Sequence, residues 1–241
     1  ESSVAFTNAA YAISEAGPGI SVNVLRSGAL LTPVSVNFST VDDSAVSTND
    51  YRGTNGTILF PAGIGFKTIT IPIVNDTVVE ENEIFRIFLH SPSNGVQLGT
   101  ITNTAVTITD NDVGGVISFK AATFTTNENA NAVITITRTN GAASGVSVTF
   151  TAEGGSASSP ADYTGGSQTI TFGANQTTTN VIVPIVNDSL DETNETVNLA
   201  LSNVTGGASL GSVSNAVLTI LDNDNGGTVQ FSALSYTTNE G

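Results

Sequence analysis

Two acidic runs 112 residues apart, Asp110-Asn111-Asp112 and Asp222-Asn223-Asp224, are the residues of this chain with the clearest chemical potential. Five further acids recur in step with them: Glu15 with Glu128, Asp50 with Asp162, Asp76 with Asp188, Glu80 with Glu192 and Glu83 with Glu195. Seven of the second copy's nine acids are thus matched in the first, whereas among the bases only Arg26 and Arg138 recur. Carboxylates brought together repel one another, so they must splay into water, take up protons or share a cation. Calcium suits them, since it takes about six to eight oxygens at roughly 2.3–2.6 Å from carboxylates, carbonyls and water. Cysteine is absent and His90 is the single histidine, so zinc and softer metals lack their usual ligands. Magnesium prefers fewer protein oxygens and more water.

The elements that must position these acids are strands. Apolar and polar residues alternate with a period of two in short runs rich in Val, Ile, Thr and Phe, such as Val34, Val36, Phe38 and Ile69, Ile71, Ile73. Segments at about 3–13, 20–26, 33–40, 56–60, 66–74, 83–90 and 104–110 make seven strands, and the second copy repeats them. The expectation is an all-β chain of two tandem seven-stranded immunoglobulin-like antiparallel sandwiches, residues 1–113 and 114–225. Residues 226–241 then read as the first strand of a truncated third repeat. There is no Cys, Trp, Cys set, so this is not an antibody-type domain. Pro72 and Pro184 fall inside the fifth strand of each copy and cannot donate to a ladder, which predicts a bulge or local unpairing there.

In a sandwich of alternately directed strands, the ends of the first, third, fifth and seventh lie at one pole. Sorted by that rule, all the acids of copy one from Glu15 to Asp112 gather at this pole, and copy two obeys the same partition. Asp and Asn also favour loops because they hydrogen-bond nearby backbone. Turn chemistry is needed at both poles, however, and does not confine acids to one. Glu83 and Glu195 open a strand, where an acid can simply face solvent.

Composition excludes other classes. Twenty-one acids against six bases, a net charge of −15, leave no basic surface for nucleic acid. Only 11% of residues are charged and 39% are hydrophobic, so the chain does not read as disordered. No apolar run approaches the roughly 18 residues of a membrane span. His90 is answered by Ser202 in the second copy, so no Ser-His-Asp arrangement repeats, and without Trp the chain lacks the usual platform for sugars. The chain is expected not to be an enzyme.

These positions resemble the Calx-beta family over both copies. The residues carrying the likeness are Asp50-Tyr51 and Asp162-Tyr163, Phe60-Pro61-Ala62-Gly63 and Phe172-Gly173-Ala174, and Ile73-Val74-Asn75-Asp76 running on to Glu80, Glu83 and Phe85. Ile185-Val186-Asn187-Asp188 with Glu192 and Glu195 repeats the last stretch, and Val106, Ile108, Asp110, Asp112 and Leu218, Ile220, Asp222, Asp224 close each copy. The resemblance implies an immunoglobulin-like calcium-binding module, known in sodium/calcium exchangers as a cytosolic sensor and in bacterial surface proteins as a repeated unit. It implies the ligands Glu15, Asp50, Asp76, Glu80, Asp110 and Asp112, with Glu128, Asp162, Asp188, Glu192, Asp222 and Asp224 in the second copy. Asn75 and Asn187 stand where multi-calcium members carry Asp, which implies fewer ions.

From this follows the leading expectation: a calcium-rigidified spacer or adhesive repeat of a larger bacterial surface or secreted protein. Its partners would be calcium, neighbouring repeats of the chain and a cell-surface or matrix ligand. A calcium-sensing regulatory module is the main alternative, and a carbohydrate-binding or hydrolytic module the other. The sequons at Asn75 and Asn187 lie within the acidic set, where a glycan would collide with ligands, which argues against a eukaryotic secretory origin, so the expected location is extracellular or at the cell surface of a bacterium.

Overall fold

The computed structural model describes residues 2–238 and Gly241; Glu1, Asn239 and Glu240 lie outside the described residues. The chain divides into two compact units, Glu1–Val113 and Gly114–Gly241. The first contains β1 (Ser3–Phe6), β2 (Ala10–Ser14), β3 (Gly19–Ser27), β4 (Val34–Asp42), β5 (Asn55–Phe60), β6 (Phe66–Pro72), β7 (Glu83–His90), β8 (Gln97–Leu98) and β9 (Asn103–Thr109). The second contains β10 (Val116–Phe119), β11 (Thr123–Asn127), β12 (Ala132–Thr139), β13 (Val146–Gly155), β14 (Gly166–Phe172), β15 (Thr178–Val183), β16 (Glu195–Ser202), β17 (Ser209–Leu210) and β18 (Asn215–Leu221). Each unit is a sandwich of two sheets, ordered β6-β3-β1-β8 and β2-β9-β7-β4-β5 in the first, β15-β12-β10-β17 and β11-β18-β16-β13-β14 in the second.

The alternation seen in the sequence is what closes each sandwich. Val22, Val24, Ile69 and Ile71 of one sheet and Val36, Phe38, Phe85, Ile87 and Val106 of the other are all buried in one core, and Ile134, Ile136, Phe150, Val181, Val197, Leu199 and Leu218 build the second. Apolar area removed from water on these inner faces is the main stabilising term.

One expectation needs correction. The sandwiches are not wholly antiparallel, because the first predicted strand divides between the sheets. β1 runs antiparallel to β3, the chain then crosses, and β2 pairs in parallel with β9 through Ala10↔Ala105 to Ser14↔Thr109. In an alternating series of seven, the first and last strands share a direction, so their pairing has to be parallel. The division of the first strand and the added two-residue strands β8 and β17, parallel to β1 and β10, raise the strands in each unit above the expected seven. At the prolines the fifth strand is locally interrupted, as expected: β6 stops at Pro72 and β15 at Val183, leaving Pro184 outside the ladder, after which Ile73 and Ile185 bridge to Tyr51 and Tyr163. Residues 226–238 are in no strand, and Val229, Phe231 and Leu234 are exposed.

Candidate metal centre

Glu15, Asp50 and Asp76 of the first unit are set by the backbone bonds next to them. Glu15 follows β2, and its N–H donates to Thr109 O at 2.9 Å, extending the β2–β9 ladder by one bond. Asp50 precedes Tyr51, whose ring is buried and stacked on Phe85 at 4.0 Å between centroids. The Asp50 carbonyl accepts from Val74 N at 3.0 Å, tying this loop to the segment after β6. The Tyr51 hydroxyl donates to Asp42 Oδ1 at 2.5 Å. Asp76 closes a short turn, its Oδ1 accepting from Val78 N at 2.7 Å, while its own N–H donates to Glu15 Oε1 at 2.7 Å.

The result is two triads, with one ligand oxygen from each member lying within 4.8 Å of the others. Glu15, Asp76 and Asp112 form the first; Asp50, Glu80 and Glu83 form the second. The second unit repeats both as Glu128, Asp188, Asp224 and Asp162, Glu192, Glu195. Among the sequence-derived ligands, Asp110 and Asp222 fall outside the triads. Asp110 Oδ1 accepts from Asp112 N at 2.9 Å and Oδ2 from Glu80 N at 3.0 Å, so it holds one member of each triad. Asp222 makes the same pair of bonds, to Asp224 N at 3.3 Å and Glu192 N at 3.2 Å. Both still line the cleft that carries the second triad of their unit.

Glu83 and Glu195, strand starts outside the ligand set that the resemblance implies, each stand in a triad. Alternation could have found them. Glu83 lies two residues before Phe85 and four before Ile87, on the face β7 turns inward, and Glu195 precedes Val197 and Leu199 in the same way.

The electrostatics are those of crowded, partly desolvated carboxylates. Glu15 is 5% exposed and Glu128 8%, without a basic partner for either, and the one salt bridge among the described residues, Arg86 to Asp43 at 3.0 Å, lies elsewhere. Burial, followed by the charges of Asp76, Asp112 and Asp110, raises the Glu15 carboxyl above its ordinary range. Burial, then a hydrogen bond with Asp50 and the charges around it, pushes Glu83 up to about 7. Glu195 beside Asp162 is also pushed to about 7, for the same reasons. Glu80, Asp112, Glu192 and Asp224 are raised as well, burial first and neighbouring carboxylates second.

One observation separates these acids from ordinary turn formers. Asp112 Oδ2 and Asp224 Oδ2 are buried and have no hydrogen-bond partner. A buried, unsatisfied carboxylate oxygen is costly unless a cation or donor meets it. The donor set is all oxygen, charged and loop-borne, which fits a hard divalent cation of calcium's size. In the second unit Asn223 Nδ2 donates to Glu128 Oε2 and Asn187 Oδ1, each at 3.1 Å, which sets a neutral amide beside its first triad.

Comparison with known proteins agrees with this geometry. The model of the Calx-beta domain matches residues 1–112 and again 110–224. The sodium/calcium exchanger Calx of Drosophila melanogaster is 31% identical over 167 residues, 69% of this chain and 18% of the exchanger. Adhesion G-protein coupled receptor V1 of Danio rerio is 30% identical over 242 residues, 97% of this chain and 4% of the receptor. Sodium/calcium exchanger 1 of Bos taurus is 26% identical over 81% of this chain and 22% of its own length. The chain therefore spans under a quarter of each of these relatives. Among solved structures, the calcium binding domain CBD12 of CALX1.1 superposes with a TM-score of 0.50 at 23% identity, covering 89% of this chain and 98% of that one, a likeness of fold. The expected extracellular or bacterial cell-surface location is overturned by these relatives: the tandem pattern recurs in the sodium/calcium exchangers of animals, so the repeat and its acids do not signal a bacterial surface protein. With a family match over both halves and the same acidic triads in each, the chain belongs to the Calx-beta domain family, two of whose domains it carries in tandem.

Proposed function

We propose that this chain is a calcium-binding regulatory module, in which each domain takes up calcium in its two acidic triads and passes the change to a longer protein. The observation that carries this reading is the pair of buried, partnerless oxygens on Asp112 and Asp224, each in a triad of carboxylates, on side chains that burial and the repulsion of neighbouring acids make easier to protonate than usual. A divalent ion would satisfy those oxygens and turn the repulsion into attraction. In the first domain Glu15, Asp76 and Asp112 would hold one ion and Asp50, Glu80 and Glu83 a second, with Asp110 fixing the spacing between them. The regulatory sense, in preference to the spacer role expected from the repeat, is supported by the exchangers among its relatives and by the name of the solved pair, a calcium binding domain of CALX1.1.

The reading is of a binding module without catalysis. The carboxylates act as ligands, and His90 sits at the end of β7 opposite Glu83, with Nδ1 3.2 Å from Ser91 Oγ. Calorimetric titration with calcium tests the proposal. Binding should be lost stepwise in Asp112→Asn and Asp224→Asn, and magnesium should compete poorly. Micromolar affinity fits a regulatory module, whereas extracellular modules work near millimolar calcium. An absence of calcium heat in the unaltered chain would defeat the reading.

A further inference from the structure

An electrophile and a nucleophile stand side by side just after the last strand of the second unit. Asn225, Gly226 and Gly227 are exposed and in no strand. Gly227 N donates to Asn225 Oδ1 at 2.9 Å, closing a turn that Gly227 continues with φ +68. Gly226 N donates to Asp191 Oδ2 at 3.0 Å, and Asp191 is itself exposed. The side-chain carbonyl of Asn225 thus carries a hydrogen-bond donor, and the backbone nitrogen that follows it carries a carboxylate.

Both contacts fall where chemistry would need them. A donor stabilises charge developing on a carbonyl oxygen when it lies about 2.7–3.1 Å away. A general base must stand within roughly 2.6–3.2 Å of the group whose proton it takes. The reacting groups belong to consecutive residues, so their encounter is intramolecular. Gly226 has no side chain to screen its nitrogen, and a Cβ there would lie 2.9 Å from Asp191 Oδ2. The other three Asn-Gly pairs of the sequence are held differently. Asn55 and Gly56 lie in β5, in register with Ser39 and Phe38 of β4. Asn94 and Asn140 sit in tight turns with φ +54 and +56, and Asn94 Nδ2 is tied to Pro33 O at 2.9 Å. At the position of Asn225 the first unit carries Val113, so the arrangement has no counterpart there.

We propose that Asn225 is a site of self-modification by deamidation, with Asp191 as the general base. The Gly226 nitrogen bonds to Asn225 Cγ while its proton passes by way of Asp191 to the departing amide nitrogen, which leaves as ammonia. Water then adds to either carbonyl of the five-membered cyclic imide and opens it to an aspartyl or isoaspartyl residue. Water is the only co-reactant, and nothing is oxidised or reduced. The product adds one negative charge next to Asp224, a member of an acidic triad, and close to Asp191, the neighbour of Glu192 in the other. Only that consequence rests on the calcium reading; the reaction itself does not.

The full chain is aged in warm, mildly alkaline buffer with chelator, once folded and once unfolded in guanidinium, and digested samples are followed by mass spectrometry. Conversion reads as the mass gain of an amide becoming an acid, at each of the four Asn-Gly pairs separately. Folding should speed Asn225 by roughly tenfold or more, the effect of an oriented nucleophile and base. The same folding should slow Asn55, Asn94 and Asn140, whose peptides it holds in a strand or a tight turn. Asp191→Ala, a change at an exposed loop position, should remove the acceleration at Asn225 and leave the other three rates as they were. Conversion of Asn225 that is no faster folded than unfolded overturns the proposal. So does a folded rate that Asp191→Ala leaves untouched. Should Asp191→Ala disturb the fold, the folded-against-unfolded comparison in the unaltered chain decides by itself.

Discussion

At the scale of single residues, the acids of this chain serve two roles at once. Asp76, Asp110 and Asp162 each accept a nearby backbone N–H, which shapes a loop, and each also stands in or beside a triad. Glu83 accepts no such local N–H, and burial first, then the neighbouring Asp50, pushes its carboxyl up to about 7. Glu83→Gln should therefore raise the melting temperature of the calcium-free protein while weakening calcium binding, a pair of opposite shifts that thermal melting and calorimetry would read. A fall in both would mean that Glu83 is packed and not repelled. The same residue gives the pH dependence its sign. The folded-state carboxyls of Glu83 and Glu195 lie at about 7, above the ordinary 4.5, so between those values the folded chain binds more protons than the unfolded one. Stability without calcium should fall as pH rises from about 4.5 to about 7, and saturating calcium should flatten or reverse that slope in melting curves. Most of the triad members were visible in the sequence because they recur; Glu83 and Glu195 recur too, but their place on the inner face depends on strand register, which Phe85 and Val197 report only when the alternation is followed through the acid.

At the scale of elements, the site depends on how loops are pinned to strands. Tyr51 carries Asp50 and stacks on Phe85 of β7, the strand that begins with Glu83, so one aromatic pair holds two members of a triad. Phe85→Ala should cost about 3–5 kcal/mol of stability and also weaken calcium binding in the first domain, measured by denaturant unfolding and calorimetry on the same variant. Val197 occupies the corresponding position beside Tyr163, so the aromatic stack is a feature of the first domain. The division of the first strand into β1 and β2 was not legible in the alternation, since Val4, Phe6, Tyr11 and Ile13 fit one long strand or two short ones. What decides between them is which edge is open, because β2 gains a ladder on β9 while β1 keeps its ladder on β3.

At the scale of the molecule, two compact units with separate cores and a net charge of −15 should unfold as two transitions, each shifted by calcium. A ligand at a hundred times its dissociation constant adds about 2.7 kcal/mol per site, so both transitions should move upward in differential scanning calorimetry. Movement of one alone would assign calcium binding to that domain. Monovalent salt should stabilise the calcium-free form by screening the repulsion between acids, with most of the effect complete once the Debye length has fallen to about 10 Å near 0.1 M.

The sequence by itself determined the duplication and the strand chemistry and supplied the expectation of acids gathered at one end, because repeat spacing and period-two alternation are local patterns that survive without coordinates. Only the tertiary structure decided how those acids divide: Asp110 and Asp222 became spacers between triads, Glu83 and Glu195 became members, and Asp112 and Asp224 were left with buried, partnerless oxygens. It also decided that the alternating Val229 and Phe231 form no strand while Val4 and Phe6 do. The physical reason is common to all of these. Alternation says which way a side chain points, but whether it meets a ladder, a cation or water depends on what the rest of the chain brings opposite it.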